Sequence, residues 1–140
     1  AALRLSSFGV LVFATVHTNS APATIDRVVN AFASDQQPMI RGLLADALAA
    51  VVAQELLPTA DNAGRAAALE ILLGSSALST MIREGKTHQV PTLMQGGRAQ
   101  GMQTLDMALI DLVEKRRITP EVALSRARDR EAMARVLRRD

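Results

Sequence analysis

The chain has 140 residues, of which 49% are apolar, so its length and composition predict one ordered domain with an apolar core. Cysteine is absent, which excludes disulfides and cysteine-ligated zinc sites. The net charge is only +2, but Lys and Arg outnumber Asp and Glu from Lys115 to the end. A basic end can bind nucleic acid or acidic lipid, or can be a solvated helix end. We favour the solvated helix because no Trp or Tyr is present to stack on bases.

The first predicted element is a strand at residues 10–16. These residues are a continuous apolar run, Val-Leu-Val-Phe-Ala-Thr-Val, which is typical of a strand covered on both faces in a parallel sheet. The run leads into His17-Thr18-Asn19-Ser20, whose side chains can all hydrogen-bond to phosphate or water. Ligands of open α/β sheets bind outside the carboxyl ends of the strands. The pattern therefore predicts a ligand-facing edge, on a strand that needs neighbours to pair with.

Helical spacing of apolar residues predicts the next two elements. A short helix is expected over Ala23–Phe32, with Asp26 in its first turn. Ser34–Gln37 has the pattern of a capping box and is followed by Pro38, so a second helix is expected to begin there. The apolar stripe of that helix is Met39, Ile40, Leu43, Leu44, Ala47, Leu48, Val51 and Val52.

Turn residues then predict a β-hairpin. Residues 52–57 and 65–73 flank Asp61-Asn62-Ala63-Gly64, a typical turn sequence. Further helices are predicted at 76–84 with Ser76 as its cap and Gly85 after it, at 87–95, after Thr104, and from Glu121 into the basic end behind Thr119-Pro120, with a loop at 96–101.

The chemistry-bearing residues, taken singly, are ambiguous. His17 at the end of a strand fits either a hydrogen-bonded structural residue or a catalytic one. His88 has no partner at metal-ligand spacing, so no metal site is predicted. The Gly-rich stretch 96–101 lacks the Gly-Lys-Ser/Thr of a phosphate loop. These residues alone predict a mostly helical α/β chain with a polar edge.

Several motifs, taken in order, resemble those of one family. His17-Thr18-Asn19-Ser20-Ala21, followed by Thr24-Ile25-Asp26-Arg27, resembles the His box of type II/IV secretion ATPases. The apolar residues 11–16 resemble the strand that leads into that box.

Three further segments resemble the PilT-type pilus-retraction branch of that family. Residues 77–84, Ala-Leu-Ser-Thr-Met-Ile-Arg-Glu, are similar to its C-terminal signature helix, although Ser79-Thr80 replaces the Arg-Asn pair common there. Residues 101–106 resemble the motif before its late helix, and residues 66–71 resemble its Glu-containing strand, with Glu70-Ile71 the closest part.

The resemblance implies a fold and a division of the chain. The fold class it implies is α/β, the C-terminal part of a RecA-like P-loop ATPase domain, mostly helical with an N-terminal core strand and a β-hairpin. Residues 1–73 would belong to the ATPase core with the His box, and residues 74–140 would form a helical C-terminal region with the signature helix.

The resemblance also implies a function. The intact protein would be a homo-hexameric motor that hydrolyses ATP with Mg²⁺ and powers type IV pilus retraction. It would lie in the cytoplasm at the inner membrane, act on a pilus platform protein of that membrane and bind no specific nucleic acid. The family's Walker A loop and Walker B strand precede the His box and are not in this sequence, so we expect these 140 residues to be inactive alone.

The same resemblance implies roles for individual residues. His17 would act catalytically, near the γ-phosphate. Thr18 and Ser20 would cap the following helix or contact phosphate, and Arg27 would bridge to a neighbouring subunit or pair with a carboxylate. Arg83 and Glu84 would couple hydrolysis to retraction; as an exposed charge pair alone they would contribute about 1 kcal/mol or less to stability.

Two other functions stay open at this point. The chain could come from a pilus-assembly or secretion ATPase of the same superfamily. Alternatively, it could be an autonomous helical interaction module that binds a partner through its Leu/Ala/Val stripes.

Overall fold

The structure is a computed structural model that describes residues 1–138. Short 3₁₀ turns occur at Thr87–Gln89 and Arg98–Gln100. Within residues 1–138, no helix has the length and apolar character needed to cross a membrane. The elements are α1 (Ala2–Ser7), α2 (Ala21–Asn30), α3 (Gln37–Ala47), β1 (Ala50–Pro58), β2 (Arg65–Leu73), α4 (Ser76–Arg83), α5 (Val90–Gly96), α6 (Leu105–Glu114), α7 (Pro120–Arg126) and α8 (Arg130–Leu137).

Side-chain caps determine where most of the helices begin. A hydroxyl or carboxylate oxygen of the cap accepts the backbone N–H of the third residue after it, which would otherwise lack a partner. The predicted caps Thr104 and Thr119 are confirmed, whereas α4 is capped by Ser75 rather than Ser76. The capping box predicted at Ser34–Gln37 is wrong, because α3 begins after Gln36 without a side-chain cap.

The predicted hairpin is confirmed, and β1 begins earlier than expected, at Ala50. Its antiparallel register pairs Val51 with Leu72, Ala53 with Glu70 and Leu57 with Ala66. Because side chains alternate between the two faces of a strand, all of these residues point to the same face, which is buried. Val51 and Val52 therefore belong to β1 and not to the stripe of α3.

The hairpin turn is closed by side-chain hydrogen bonds. The Thr59 hydroxyl and the Ala63 N–H donate to the Asp61 carboxylate at 2.6 and 3.0 Å. These bonds favour the ionised carboxylate and hold the pKa of Asp61 below its ordinary value.

The outer edge of β2 is bridged to the segment before α6. The Gln103 N–H donates to the Ile71 carbonyl at 2.9 Å, and the Ile71 N–H donates back at 2.7 Å. The Gln103 side-chain amide donates to the Leu69 carbonyl at 2.7 Å. These bonds place α6 beside the hairpin.

Two apolar clusters form the core, and the hairpin contributes to both. The first packs α2 to α5 against the open end of the hairpin, where Val51 and Leu72 lie. The second packs α6 to α8 against the turn end, where Leu57, Ala66 and Ala68 lie. Each cluster draws residues from both sides of residue 73, so the division of the chain at that residue stays a prediction.

The strand predicted at residues 10–16 is wrong. Residues 11–15 make no backbone hydrogen bond to the described residues, and the side chains of Leu11 and Phe13 are 74% and 89% exposed. A strand needs a neighbour, and within residues 1–138 the sheet contains only β1 and β2, which pair with each other. The segment is therefore irregular.

The single helix predicted from Glu121 to the basic end is also wrong, because residues 127–129 interrupt it and separate α7 from α8. These three residues are called the α7–α8 break. Both oxygens of the Asp106 carboxylate accept backbone N–H groups at the break, from Arg128 at 2.8 Å and from Asp129 at 3.0 Å.

The prediction that Asp26 lies in the first turn of its helix is wrong, since α2 begins at Ala21 and Asp26 lies beyond that turn. There its carboxylate accepts the Thr87 hydroxyl at 2.9 Å.

A pair of glycine substitutions tests how the hairpin joins the first cluster. A Cβ on Gly74 would lie 2.6 Å from the Leu48 carbonyl oxygen, whereas a Cβ on Gly42, within α3, meets nothing within 4 Å. We expect Gly74→Ala to lower the free energy of unfolding by about 1–3 kcal/mol, because backbone atoms must shift. We expect Gly42→Ala to raise it by up to about 1 kcal/mol through helix propensity. Urea unfolding followed by circular dichroism measures both; equal effects of the two variants would contradict the packing described.

Candidate functional site

The His17 loop, residues 17–21, leads into α2 and is fixed by short-range hydrogen bonds. The Ser20 hydroxyl oxygen accepts the Ala23 N–H at 3.2 Å and so caps the helix. The Thr24 hydroxyl donates to the Ser20 carbonyl at 2.9 Å, which leaves the Thr18 hydroxyl as donor in its 2.5 Å bond to Thr24. The capping role predicted for Ser20 is therefore present, and contact of Thr18 and Ser20 with phosphate stays a prediction.

Glu70 binds the same loop from the hairpin. Its side chain is 6% exposed, and its Oε1 accepts the Ala21 N–H at 2.6 Å. The carboxylate lies at the positive end of the α2 dipole, where negative charge is stabilised. It has room there because the residue paired with it across the hairpin is Ala53.

The amides at the start of α2 are all occupied. Ala21 bonds to Glu70, Pro22 has no N–H, Ala23 bonds to the Ser20 hydroxyl and Thr24 bonds to the Ser20 carbonyl. A helix N-terminus binds phosphate through free amides. This helix end therefore holds the protein's own carboxylate, and a phosphate would have to contact the side chains of the loop.

Sequence reasoning identified Glu70 only as part of a family-like strand and missed its role in the site. A signal was available in the alternation of Ala66, Ala68, Glu70 and Leu72, since a carboxylate among inward-facing small and apolar residues must find a buried donor. The identity of that donor depends on the register and on the position of α2.

His17 and Arg27 lie at opposite ends of α2. His17 is exposed just before the helix, so its imidazole is accessible to a ligand. Arg27 is exposed in the last turn, about 9 Å along the axis from Ala21. The side chains of His17 and Arg27 therefore do not lie together in one site. Arg27 forms no ion pair within residues 1–138.

Arg83 and Glu84 each pair with a different partner. The Arg83 guanidinium bonds to the Asp46 carboxylate of α3, and Glu84 pairs with Lys86 at 2.6 Å. These four side chains are between 49% and 70% exposed. Ser79, at the position where the resemblance departs, donates its hydroxyl to the Ala45 carbonyl at 2.7 Å and holds α4 against α3.

Gly85-Lys86-Thr87 has the residue order that ends a phosphate loop, but not its context. It follows a helix rather than a strand, and residue 80 is Thr where the motif needs Gly. Lys86 is paired with Glu84, and the Thr87 hydroxyl is bonded to Asp26. This segment therefore joins α4 to α2 and does not form a phosphate loop.

The described residues do not fit a magnesium site. Within residues 1–138, no group of three or more His, Asp or Glu side chains lies close enough together to hold a metal ion. Two open concavities, one between α7 and α8 and one beside the hairpin turn, contain no residue of the His17 loop.

The sequence of the chain matches a described family along the length that the structure describes. The family is Type II/IV secretion system protein, and the match covers residues 1–138. This chain belongs to that family.

Individual relatives point to one branch. A twitching motility protein of Neisseria gonorrhoeae is 43% identical over 133 residues, which are 95% of this chain and 36% of that protein. The type IV pilus retraction ATPase PilT of Pseudomonas aeruginosa is 43% identical over 127 residues, which are 91% of this chain and 37% of that protein. The chain thus spans little more than a third of the length of these relatives.

A solved structure gives the same result. The crystal structure of the pilus retraction motor PilT with bound ADP superposes on this chain with a TM-score of 0.82 and 38% identity, over 96% of this chain and 37% of that one. The predicted resemblance to PilT-type ATPases is confirmed. The fold class is confirmed as well, apart from the N-terminal strand.

Substitution of Glu70 tests its bond to the His17 loop. We expect Glu70→Ala to lower the free energy of unfolding by about 1–3 kcal/mol, because the buried Ala21 N–H would lose its acceptor. Glu70→Gln should cost less, since an amide oxygen still accepts the bond although the charge at the helix dipole is lost. Glu114→Ala, at an exposed position, is the control. Urea unfolding measures all three, and a Glu70→Ala variant as stable as the control would contradict the bond.

Proposed function

We propose that this chain is the C-terminal portion of a motor that hydrolyses ATP to retract type IV pili. One observation carries the proposal: the backbone superposes on a pilus retraction motor with a TM-score of 0.82 over 96% of the chain, at 38% identity. The 43% identity to a twitching motility protein and to PilT supports retraction over the assembly and secretion functions that the family also includes. An isolated interaction module would not require this match along the whole chain.

The site is divided between this chain and the rest of the motor. The 140 residues contain no Gly-rich loop ending in Gly-Lys-Ser/Thr after a strand, and those that the structure describes offer no metal site. The phosphates of ATP and the Mg²⁺ would therefore be held by residues outside this chain, and the chain would be inactive alone. Its own contribution would be the exposed His17 on a fixed loop.

His17 would act as a hydrogen-bond donor to the γ-phosphate. An imidazole N–H can donate to an anion, and the loop that bears it is held by Glu70 and by the Ser20 cap. A donor fixed in place stabilises developing charge without needing to reorganise. Ser20 would contact phosphate through its hydroxyl hydrogen, which the cap bond leaves free, whereas Thr18 would do so only if its bond to Thr24 rearranged.

The assembly and partners follow from the resemblance to retraction motors. The motor would be a homo-hexamer in the cytoplasm, peripheral at the inner membrane, acting on the pilus platform protein there and on no specific nucleic acid. The exposed Arg27 supports a subunit bridge, since its guanidinium forms no ion pair within residues 1–138. Arg83 and Glu84 would couple hydrolysis to movement through their exchangeable surface pairs, Arg83 with Asp46 of α3 and Glu84 with Lys86.

Replacement of His17 tests the catalytic assignment. In the full-length protein, we expect His17→Ala to lower ATP turnover at least about tenfold, since loss of one positioned donor commonly costs that much or more. His88→Ala is the matched control, because His88 is also exposed and lies outside the His17 loop. The measurement is steady-state phosphate release, with circular dichroism to verify folding. Wild-type turnover in the His17 variant would refute the assignment.

Replacement of Arg83 or Glu84 tests coupling. We expect Arg83→Ala and Glu84→Ala to reduce pilus retraction in cells, because the proposed role of both residues is coupling. ATP turnover in vitro should fall less, because their surface pairs contribute little to stability. Lys115→Ala, which removes another exposed ion pair, with Asp111, is the control. If retraction and turnover fell in proportion, the coupling role would be abandoned.

A further inference from the structure

The break between α7 and α8 is held at one point by the first turn of α6. Asp106 accepts the N–H groups of Arg128 and Asp129 through its two carboxylate oxygens. Asp129 in turn caps α8 by accepting the Ala132 N–H at 2.9 Å. The backbone is therefore held on the N-terminal and on the C-terminal side of the Arg128 Cα, through the N–H groups of Arg128 and Asp129.

From this fixed point, Arg128 reaches the His17 loop. Its Nη2 donates to the Asn19 carbonyl oxygen at 2.7 Å, across 109 positions of sequence. Asn19 lies between His17 and the helix cap Ser20. The bond therefore joins the second apolar cluster, which contains α6 to α8, to the segment that bears His17.

The His17 loop is thus held on two sides. Glu70 binds the amide of Ala21 from the hairpin, and Arg128 binds the carbonyl of Asn19 from the C-terminal helices. The Glu70 bond is buried, but the Arg128 bond is exposed. A bond of the second kind opens more readily than a buried one.

We propose that Arg128, held by Asp106, is a positioning residue that sets the conformation of the His17 loop and links it to the α7–α8 break. The function of that loop in ATP turnover rests on the proposed function above. The positioning itself rests on the bond to Asn19. A guanidinium suits this task because it stays charged and presents several donors in a rigid plane, whereas a Lys in its place is a flexible point charge.

The test uses Arg128→Met in the full-length protein, which keeps an unbranched side chain but removes the donors. The first readout is amide hydrogen exchange over residues 17–24, which include the hydrogen-bonded amides of Thr18 and Ala21. We expect exchange there to become about threefold faster or more, since a loop that loses a bond opens more often. Arg128→Lys should restore part of the protection.

The matched control is Arg126→Met. Arg126 is also an exposed Arg at the end of α7, but its guanidinium pairs with Glu55 of the hairpin at 3.1 Å. This variant should leave exchange over residues 17–24 unchanged. If Arg128→Met left that exchange at the wild-type rate, or if Arg126→Met raised it equally, the proposal would be overturned.

The second readout is steady-state kinetics. We expect Arg128→Met to lower kcat about threefold or more with KM for ATP changed less than twofold, the pattern of a lost transition-state interaction. Combined with His17→Ala it should cause no further loss, because it acts through His17. If the two substitutions lowered kcat additively, Arg128 would not act through His17, and that part of the proposal would be overturned. Faster exchange in Arg128→Met together with wild-type turnover in His17→Ala would support the positioning and refute the proposed function.

Discussion

The bond between the Glu70 carboxylate and the Ala21 N–H is the constraint on which the arrangement of the site depends. A buried carboxylate is tolerated only when donors satisfy it, and a buried amide likewise needs an acceptor. Here each satisfies the other across 49 positions of sequence, at the positive end of a helix. The hairpin and α2 cannot separate without leaving both groups unsatisfied. The His17 loop is consequently fixed relative to the hairpin, although the residues before it are irregular.

The hairpin can act in this way because it belongs to both apolar clusters. Its open end packs with α2 to α5, and its turn end packs with α6 to α8. Two guanidinium bonds supplement this connection, from Arg126 to Glu55 and from Arg128 to Asn19. The Arg128 bond is exposed and the Arg126–Glu55 pair is partly exposed, and both begin near the same break in the C-terminal helices. The buried contacts therefore form the main connection, and the guanidinium bonds lie nearer the surface, where hydrogen bonds open more readily.

Features encoded by neighbouring residues could be predicted from the sequence. The hairpin follows from the Asp-Asn-Ala-Gly turn between two stretches that can pair, and Thr104 and Thr119 cap their helices because a hydroxyl bonds an amide three residues on.

Features that depend on distant residues could not be predicted. The apolar run at 10–16 has the composition of a strand, yet a strand exists only where another pairs with it. The break after α7 depends on a carboxylate in α6, and the partner of Glu70 depends on the register that places it opposite Ala53. The His box could be identified by resemblance, but the bonds that hold it could not.

We propose that these residues carry one part of a nucleotide site and that the residues which bind the phosphates belong to the rest of the motor. Binding of a fluorescent ADP analogue, with and without Mg²⁺, tests it most directly when the 140-residue chain is compared with the full-length protein. We expect saturable, Mg²⁺-dependent binding by the full-length protein and none by the 140-residue chain. Tight, Mg²⁺-dependent binding by the 140 residues alone would contradict it.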